Sequence, residues 1–175
     1  MKETRLGQLF GLNLSFVPSA GIGFLGVWLV LSVAAGFLLK LPFGAALGWG
    51  LAATIFHWFS ELVHHLGHAW AAQRTGYPMT GIRFWAMLAT SVYPANEPAL
   101  PGRIHIQRAL GGPAASALLT LVTGAATLAL TAQSFTWWLT LFVFANNLFV
   151  FTLQVFLPLG FNDGSTLLRW LWPKS

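Results

Sequence analysis

Glu61, His64, His65 and His68 stand together in one apolar stretch of a chain that has only 4 acidic residues and 5 histidines. At roughly 100° per residue on an α-helix, His57, Glu61, His64 and His68 fall within an arc of about 60°, and His65 lies on its edge. His64 and His68 are four apart, the spacing at which two imidazoles on one helical face can grip a single metal ion. A carboxylate and imidazoles are expensive in hydrocarbon, so such groups face a bundle interior, where they act on something.

A metal site needs a third ligand brought from elsewhere in the fold. Besides Glu61, the acidic candidate at membrane depth is Asp163, in the segment Pro158-Leu-Gly-Phe-Asn-Asp163-Gly164. Asp163 has two readings: a metal ligand, which is favoured, or the N-cap of a short helix over 165–171. Cysteine is absent. Disulfides, thiolate zinc sites, iron–sulfur clusters and a cysteine nucleophile are therefore excluded.

The elements that must position these groups are membrane helices. Of 175 residues, 56% are hydrophobic and 7% charged, with a mean hydropathy of +0.68; a soluble domain carries about 25% charged residues. Four segments, near 20–39, 44–73, 109–131 and 136–158, have the length and apolarity to cross or nearly cross a bilayer. The first starts too late and runs too long for a secretion signal, and reads as a retained span. Between the second and third, Met79–Tyr93 reads as a short strand pair or re-entrant segment, and Gly11–Val17 as a short strand before the first span. The expected fold is an all-α membrane protein of about four transmembrane helices with that one strand pair, residues 1–175 forming a single domain.

Lys2, Arg5, Arg74, Arg83, Arg103, Arg108, Arg169 and Lys174 fall on one side of this arrangement and Lys40 alone on the other. The positive-inside rule then places both termini and the 74–108 connection in the cytoplasm. The net charge of +5 is thus a topology signal; it forms no stripe for nucleic acid. The ends of the second and fourth spans, bearing His68 and Asp163, lie on the same side and can meet. Trp137, Trp138, Trp170 and Trp172 sit near span ends, where they anchor at the lipid interface.

His64-His-Leu-Gly-His68-Ala resembles the His-Glu-Leu-Gly-His-Ala helix of the site-2 protease type intramembrane metalloproteases. Pro158 followed by Asn162-Asp163-Gly164 resembles that family's second motif, and Ala109-Leu-Gly-Gly-Pro-Ala-Ala-Ser116 its Ala-Gly-Pro-x-x-Asn helix start. The motifs stand in the family's order over about residues 5–170. The resemblance implies zinc held by His64, His68 and Asp163, hydrolysis of membrane-embedded peptide segments, and a strand edge near 79–93 open to an extended peptide. Three positions depart from the pattern. The glutamate between the histidines, which takes the proton of the attacking water, is His65. Ser116 stands for the Asn after Gly-Pro, and Val155, beside Gln154, for the Asn three residues before Pro158.

Three roles are open to His65 and Glu61, the candidate catalytic pair. His65 can act as the base, oriented by Glu61 one turn earlier. Glu61 can instead accept from the N–H of a metal-binding ring, which is the favoured reading. Alternatively His65 is a third imidazole ligand. Asn146 and Asn147 read as hydrogen bonds between helices, and together with Ser116 as candidate substrate contacts. His57 reads as a satisfied polar core residue or channel lining, His105 and Glu97 as solvated.

The leading function is an intramembrane zinc metalloprotease of the bacterial inner membrane, whose partners are membrane lipids and a transmembrane or membrane-proximal peptide. The alternative is a non-catalytic metal-bearing module that binds transmembrane helices or assembles with other membrane proteins. A di-iron oxygenase needs about eight histidines and five are present; bis-histidine haem ligation lacks a facing histidine on a second span. The topology has a direct check, since the chain has no cysteine of its own. A cysteine at Ser134 should react with an impermeant maleimide from the non-cytoplasmic side, and labelling from the cytoplasm alone would contradict the assignment.

Overall fold

A computed structural model describes residues 3–172; Lys2 and Lys174 of the topology argument lie outside them. The chain opens with a hairpin, β1 (Thr4–Leu9) and β2 (Leu12–Phe16), followed by α1 (Pro18–Leu38) and α2 (Phe43–Arg74). A second hairpin, β3 (Gly81–Trp85) and β4 (Leu88–Val92), leads to α3 (Gly102–Ala129) and α4 (Phe135–Ala145). The fourth long helix then widens into a π-helical stretch at Asn146–Thr152 and tightens to a 3₁₀ turn at Leu153–Phe156 before α5 (Asp163–Leu171).

The two hairpins form one sheet in the order β1-β2-β3-β4, with the central β2–β3 pair parallel because α1 and α2 cross over between them. The expected strand pair is therefore present, and the expectation of an all-α fold is corrected to a mostly helical one with a four-stranded sheet. β1 escaped notice because its residues are nearly all exposed and a bulge between Arg5 and Gly7 breaks its alternation. Ile82, fully buried, packs with Leu12, Met79 and Ala72 to join the sheet to the last turns of α2.

α1, α3 and the Phe135–Phe156 segment are each long and apolar enough to cross a membrane. α2 matches them in length but carries His57, Glu61, His64, His65 and His68 along its buried face. It is the central helix. On one side α1 approaches so closely that a Cβ at Gly50 would lie 2.2 Å from Ser32 Oγ. On the other, Gly67 meets Gly111 of α3: a Cβ at Gly67 would lie 2.3 Å from the Gly111 carbonyl oxygen, and one at Gly111 2.4 Å from that of Gly67. Small residues at a helix crossing allow backbone-to-backbone approach in lipid, and here they set the depth at which α3 meets the histidines.

The β3–β4 hairpin penetrates between α1 and α2. Its two-residue turn, Ala86-Met87, has Ala86 at φ 47° and lies against Gly23 of α1, where a Cβ would sit 1.8 Å from the Ala86 oxygen. The Ser19 hydroxyl accepts from the Ala86 N–H, and His57 reaches the Met87 carbonyl from α2. His57 is seven residues before His64, about 10 Å further along the helix axis. The hairpin tip thus reaches past the histidine pair.

Candidate metal centre

The helical repeat of α2 presents His64 and His68 to Gly112 of α3 from consecutive turns. A Cβ at Gly112 would lie 2.3 Å from His68 Nε2 and 2.5 Å from His64 Nε2. No residue but glycine leaves the room that these ring atoms occupy. The two Nε2 atoms are 3.1 Å apart. Asp163 completes the group, with Oδ2 3.1 Å from His64 Nε2 and Oδ1 3.3 Å from His68 Nε2.

Asp163 arrives there through local constraints at the start of α5. Asn162, not Asp163, caps that helix: its side-chain oxygen accepts from the Ser165 N–H while its amide donates to the Gln154 and Leu157 carbonyls. The carboxylate one residue on is free to face α2, and Gln154 steadies it with a 2.7 Å hydrogen bond to Oδ2. Gly164 is required because a Cβ there would lie 2.6 to 2.9 Å from three carbonyl oxygens of the preceding turn. α5 itself docks through Trp170, which lies over Gly102 and stacks on His105 with ring centroids 4.4 Å apart. His105, expected to be merely solvated, positions this helix.

The hydrogen bonds behind the rings decide what the cluster can hold. His68 Nδ1 lies 2.8 Å from the Arg108 carbonyl oxygen and 3.2 Å from the Gly112 amide nitrogen; the shorter contact, to an oxygen that only accepts, puts the proton on Nδ1 and leaves Nε2 a lone pair. His64 Nδ1 meets the Ser116 hydroxyl at 3.0 Å. With that proton also on Nδ1, two lone pairs and a carboxylate converge on one point, an arrangement that repels itself unless a cation lies between. The ligand atoms all lie within 4.8 Å of one another, and a tetrahedral site with bonds near 2.0–2.1 Å has ligand–ligand edges of about 3.3 Å. The donor set fits a metal ion. Ser116, expected as a substrate contact, stands behind His64 and orients it.

Arg108 braces the same corner. Its guanidinium is buried, donates two hydrogen bonds to Glu97 and one to the Tyr77 carbonyl, and lies 4.2 Å over the Tyr93 ring. Glu97, expected in solvent, is held by this pairing, which keeps its carboxyl below the usual range. Burial pushes the Tyr93 phenol up to about 12. One residue thus joins the backbone carbonyl that orients His68 to the Tyr77–Glu97 connection. Sequence reading missed Arg108; the usable signal was an arginine inside a helix just before an apolar run.

His65 and Glu61 point elsewhere. His65 Nδ1 lies 3.0 Å from Ser91 Oγ of β4, and His65 Nε2 lies 3.6 Å from Glu61 Oε2. That same Glu61 oxygen accepts from the Ala89 N–H at 3.1 Å. The favoured role for Glu61, pairing with a metal-binding ring, is taken instead by Ser116 and the Arg108 carbonyl. Asn147 donates to Ser60 Oγ and to the Val143 carbonyl, and Asn146 meets His57. Both asparagines therefore join helices, as their mid-span position suggested. The π-helical stretch turns these consecutive residues inward together and lays Phe151 against His57 and His64, with ring centroids 5.7 and 5.6 Å away.

No family model and no curated protein matches the sequence. Among solved structures, the site-2 protease from Methanocaldococcus jannaschii is similar, with a TM-score of 0.64 and 17% identity over 97% of this chain and 71% of that one. The likeness is one of fold. Within that fold, the Gly112 cradle can be tested alone: Gly112→Ala should weaken metal binding about ten- to a hundredfold with helical circular dichroism unchanged. Metal retained at full affinity would show that the cradle is not where the ion sits.

Proposed function

We propose that this chain is a site-2 protease-like intramembrane zinc peptidase acting on membrane-embedded peptide segments, with slow hydrolysis. The observation that carries this reading is the convergence of His64, His68 and Asp163 at 3.1 to 3.3 Å, within a fold shared with a site-2 protease. A zinc ion bound there would polarise a peptide carbonyl and make water a nucleophile near neutral pH. His64 and His68, fixed by Ser116 and the Arg108 carbonyl, would hold it; Asp163 would offset its charge. The proposal includes four spans with both termini in the cytoplasm, a bacterial inner-membrane location, and lipids and a transmembrane peptide as partners.

Slow hydrolysis follows from the position that carries His65. A carboxylate there would take a proton from water and pass it to the leaving amine, becoming neutral as it does so. An imidazole becomes a cation beside another cation, where low dielectric magnifies the repulsion. His65 is in addition engaged with Ser91, so it must break that contact before it serves a substrate. The same engagement supports a second reading, a non-catalytic metal-bearing module that binds transmembrane helices or other membrane proteins.

Substitution at His65 separates the two. His65→Glu should raise cleavage of a helical transmembrane substrate by about a hundredfold or more at unchanged metal content. Efficient cleavage by the unaltered protein that His65→Glu abolishes would make imidazole the working base. Absence of cleavage by either form, with a fixed membrane partner co-purifying, would favour the module.

A further inference from the structure

Three α2 side chains outside the metal group contact the β3–β4 hairpin in register. His57 Nε2 lies 3.1 Å from the Met87 carbonyl oxygen, Glu61 Oε2 3.1 Å from the Ala89 amide nitrogen, and His65 Nδ1 3.0 Å from Ser91 Oγ. The helix residues are spaced by four, a rise of about 6 Å; the hairpin residues are spaced by two, about 6.6 Å. The two repeats match closely enough for one helical face to follow the hairpin, from its turn into β4, over three consecutive contacts.

The middle contact, Glu61 to the Ala89 N–H, falls on the open edge of β4, with His57 holding the turn before it and His65 the Ser91 side chain after it. β4 is the last strand of the sheet and pairs with β3 alone. Trp85 and Leu88 close the two-residue turn, so backbone groups at Leu88, Thr90 and Val92 face β3 while those at Ala89 and Ser91 face away. An outward N–H on an edge strand is the group that an added strand would use. Here the Glu61 carboxylate stands where the carbonyl oxygen of such a strand would be.

His57 is held to the same task. The Met87 carbonyl only accepts, so His57 Nε2 carries the proton and Nδ1 a lone pair. With that lone pair on Nδ1, the atom it meets at 3.2 Å, Asn146 Oδ1, is a second acceptor. That pairing calls for Asn146 Nδ2 on the ring side, the same atom that otherwise has no partner. His57, Glu61 and His65 are 9%, 2% and 8% exposed. At such burial a broken contact leaves a polar group unsatisfied, so the three contacts hold together.

We propose that His57, Glu61 and His65 form a latch that positions the β3–β4 hairpin and keeps the outward edge of β4 closed to an added extended peptide. An extended peptide reaches that edge only by displacing Glu61 from Ala89. That the peptide is a substrate rests on the function proposed above; the latch itself does not, and it is read without metal or cleavage.

Residue-resolved amide exchange in nanodiscs tests it. In the unaltered protein the Ala89 amide should be protected although β3 does not bond it. Glu61→Leu keeps the burial and removes the acceptor, and should speed exchange at Ala89 by about tenfold while Ile82 stays protected. Glu61→Gln keeps an acceptor oxygen and should restore protection. If Glu61→Leu fails to fold, spin labels at Met87→Cys and Leu51→Cys report hairpin position directly. One narrow distance is expected, broadened by His57→Ala. An unprotected Ala89 in the unaltered protein, or a distance distribution indifferent to His57→Ala, would overturn the proposal.

Discussion

Two imidazoles and a carboxylate converge within 3.3 Å of one another in a chain built for lipid, and with both ring protons on Nδ1 they repel unless a cation lies between them. Most of what surrounds the site serves that convergence. Gly112 leaves the space, Gly67 and Gly111 bring α3 to the right depth, and Ser116 and the Arg108 carbonyl fix the ring nitrogens that face away. Asn162 caps α5 so that Asp163 need not, and Gln154 holds the carboxylate in place. A change in any of these acts on the ligands without touching them, which is how supporting groups around a metal exert their effect.

The remaining polar face of α2 answers to a different demand. His57, Glu61 and His65 carry the hairpin, and these hydrogen bonds run to its turn and to β4 rather than to the His64 and His68 rings. The His at position 65 thus has a structural use that a glutamate would not fill in the same way. An imidazole meets the Ser91 hydroxyl beside the Glu61 carboxylate, whereas a second carboxylate would set two negative charges one turn apart in a buried place. Under the proposed function, binding the hairpin would compete with activating water for this one side chain.

The convergence of His64, His68 and Asp163 was legible in the sequence because its determinants are local: a four-residue helical spacing, and a charge pattern that put Asp163 on the same side as His68. The Asp-Gly dipeptide favoured a ligand at Asp163 over a cap, and the cap falls to Asn162, one residue earlier. The strand pair was legible from a connection too weakly charged for a soluble loop and closed by a proline-broken stretch. β1 was not, since its alternation is broken by a bulge and it buries almost nothing. The partners of Glu61 and His65 were out of reach for a different reason. They depend on how deep the hairpin sits, which is fixed by Gly23 of α1 and by the Ala86 turn, neither readable from the α2 motif. Arg108 and Glu97 looked like ordinary surface charges, and only the fold brings them together with Tyr77 and Tyr93.

The proposed function stands on His64, His68 and Asp163 holding one metal ion. X-ray absorption at the metal edge of the purified protein, with elemental analysis, tests it most directly. About one zinc per chain is expected, with two imidazole nitrogens and a carboxylate oxygen at about 2.0–2.2 Å, and loss of that signal in Asp163→Ala. A metal-free protein, or the same coordination at full occupancy in Asp163→Ala, would contradict it.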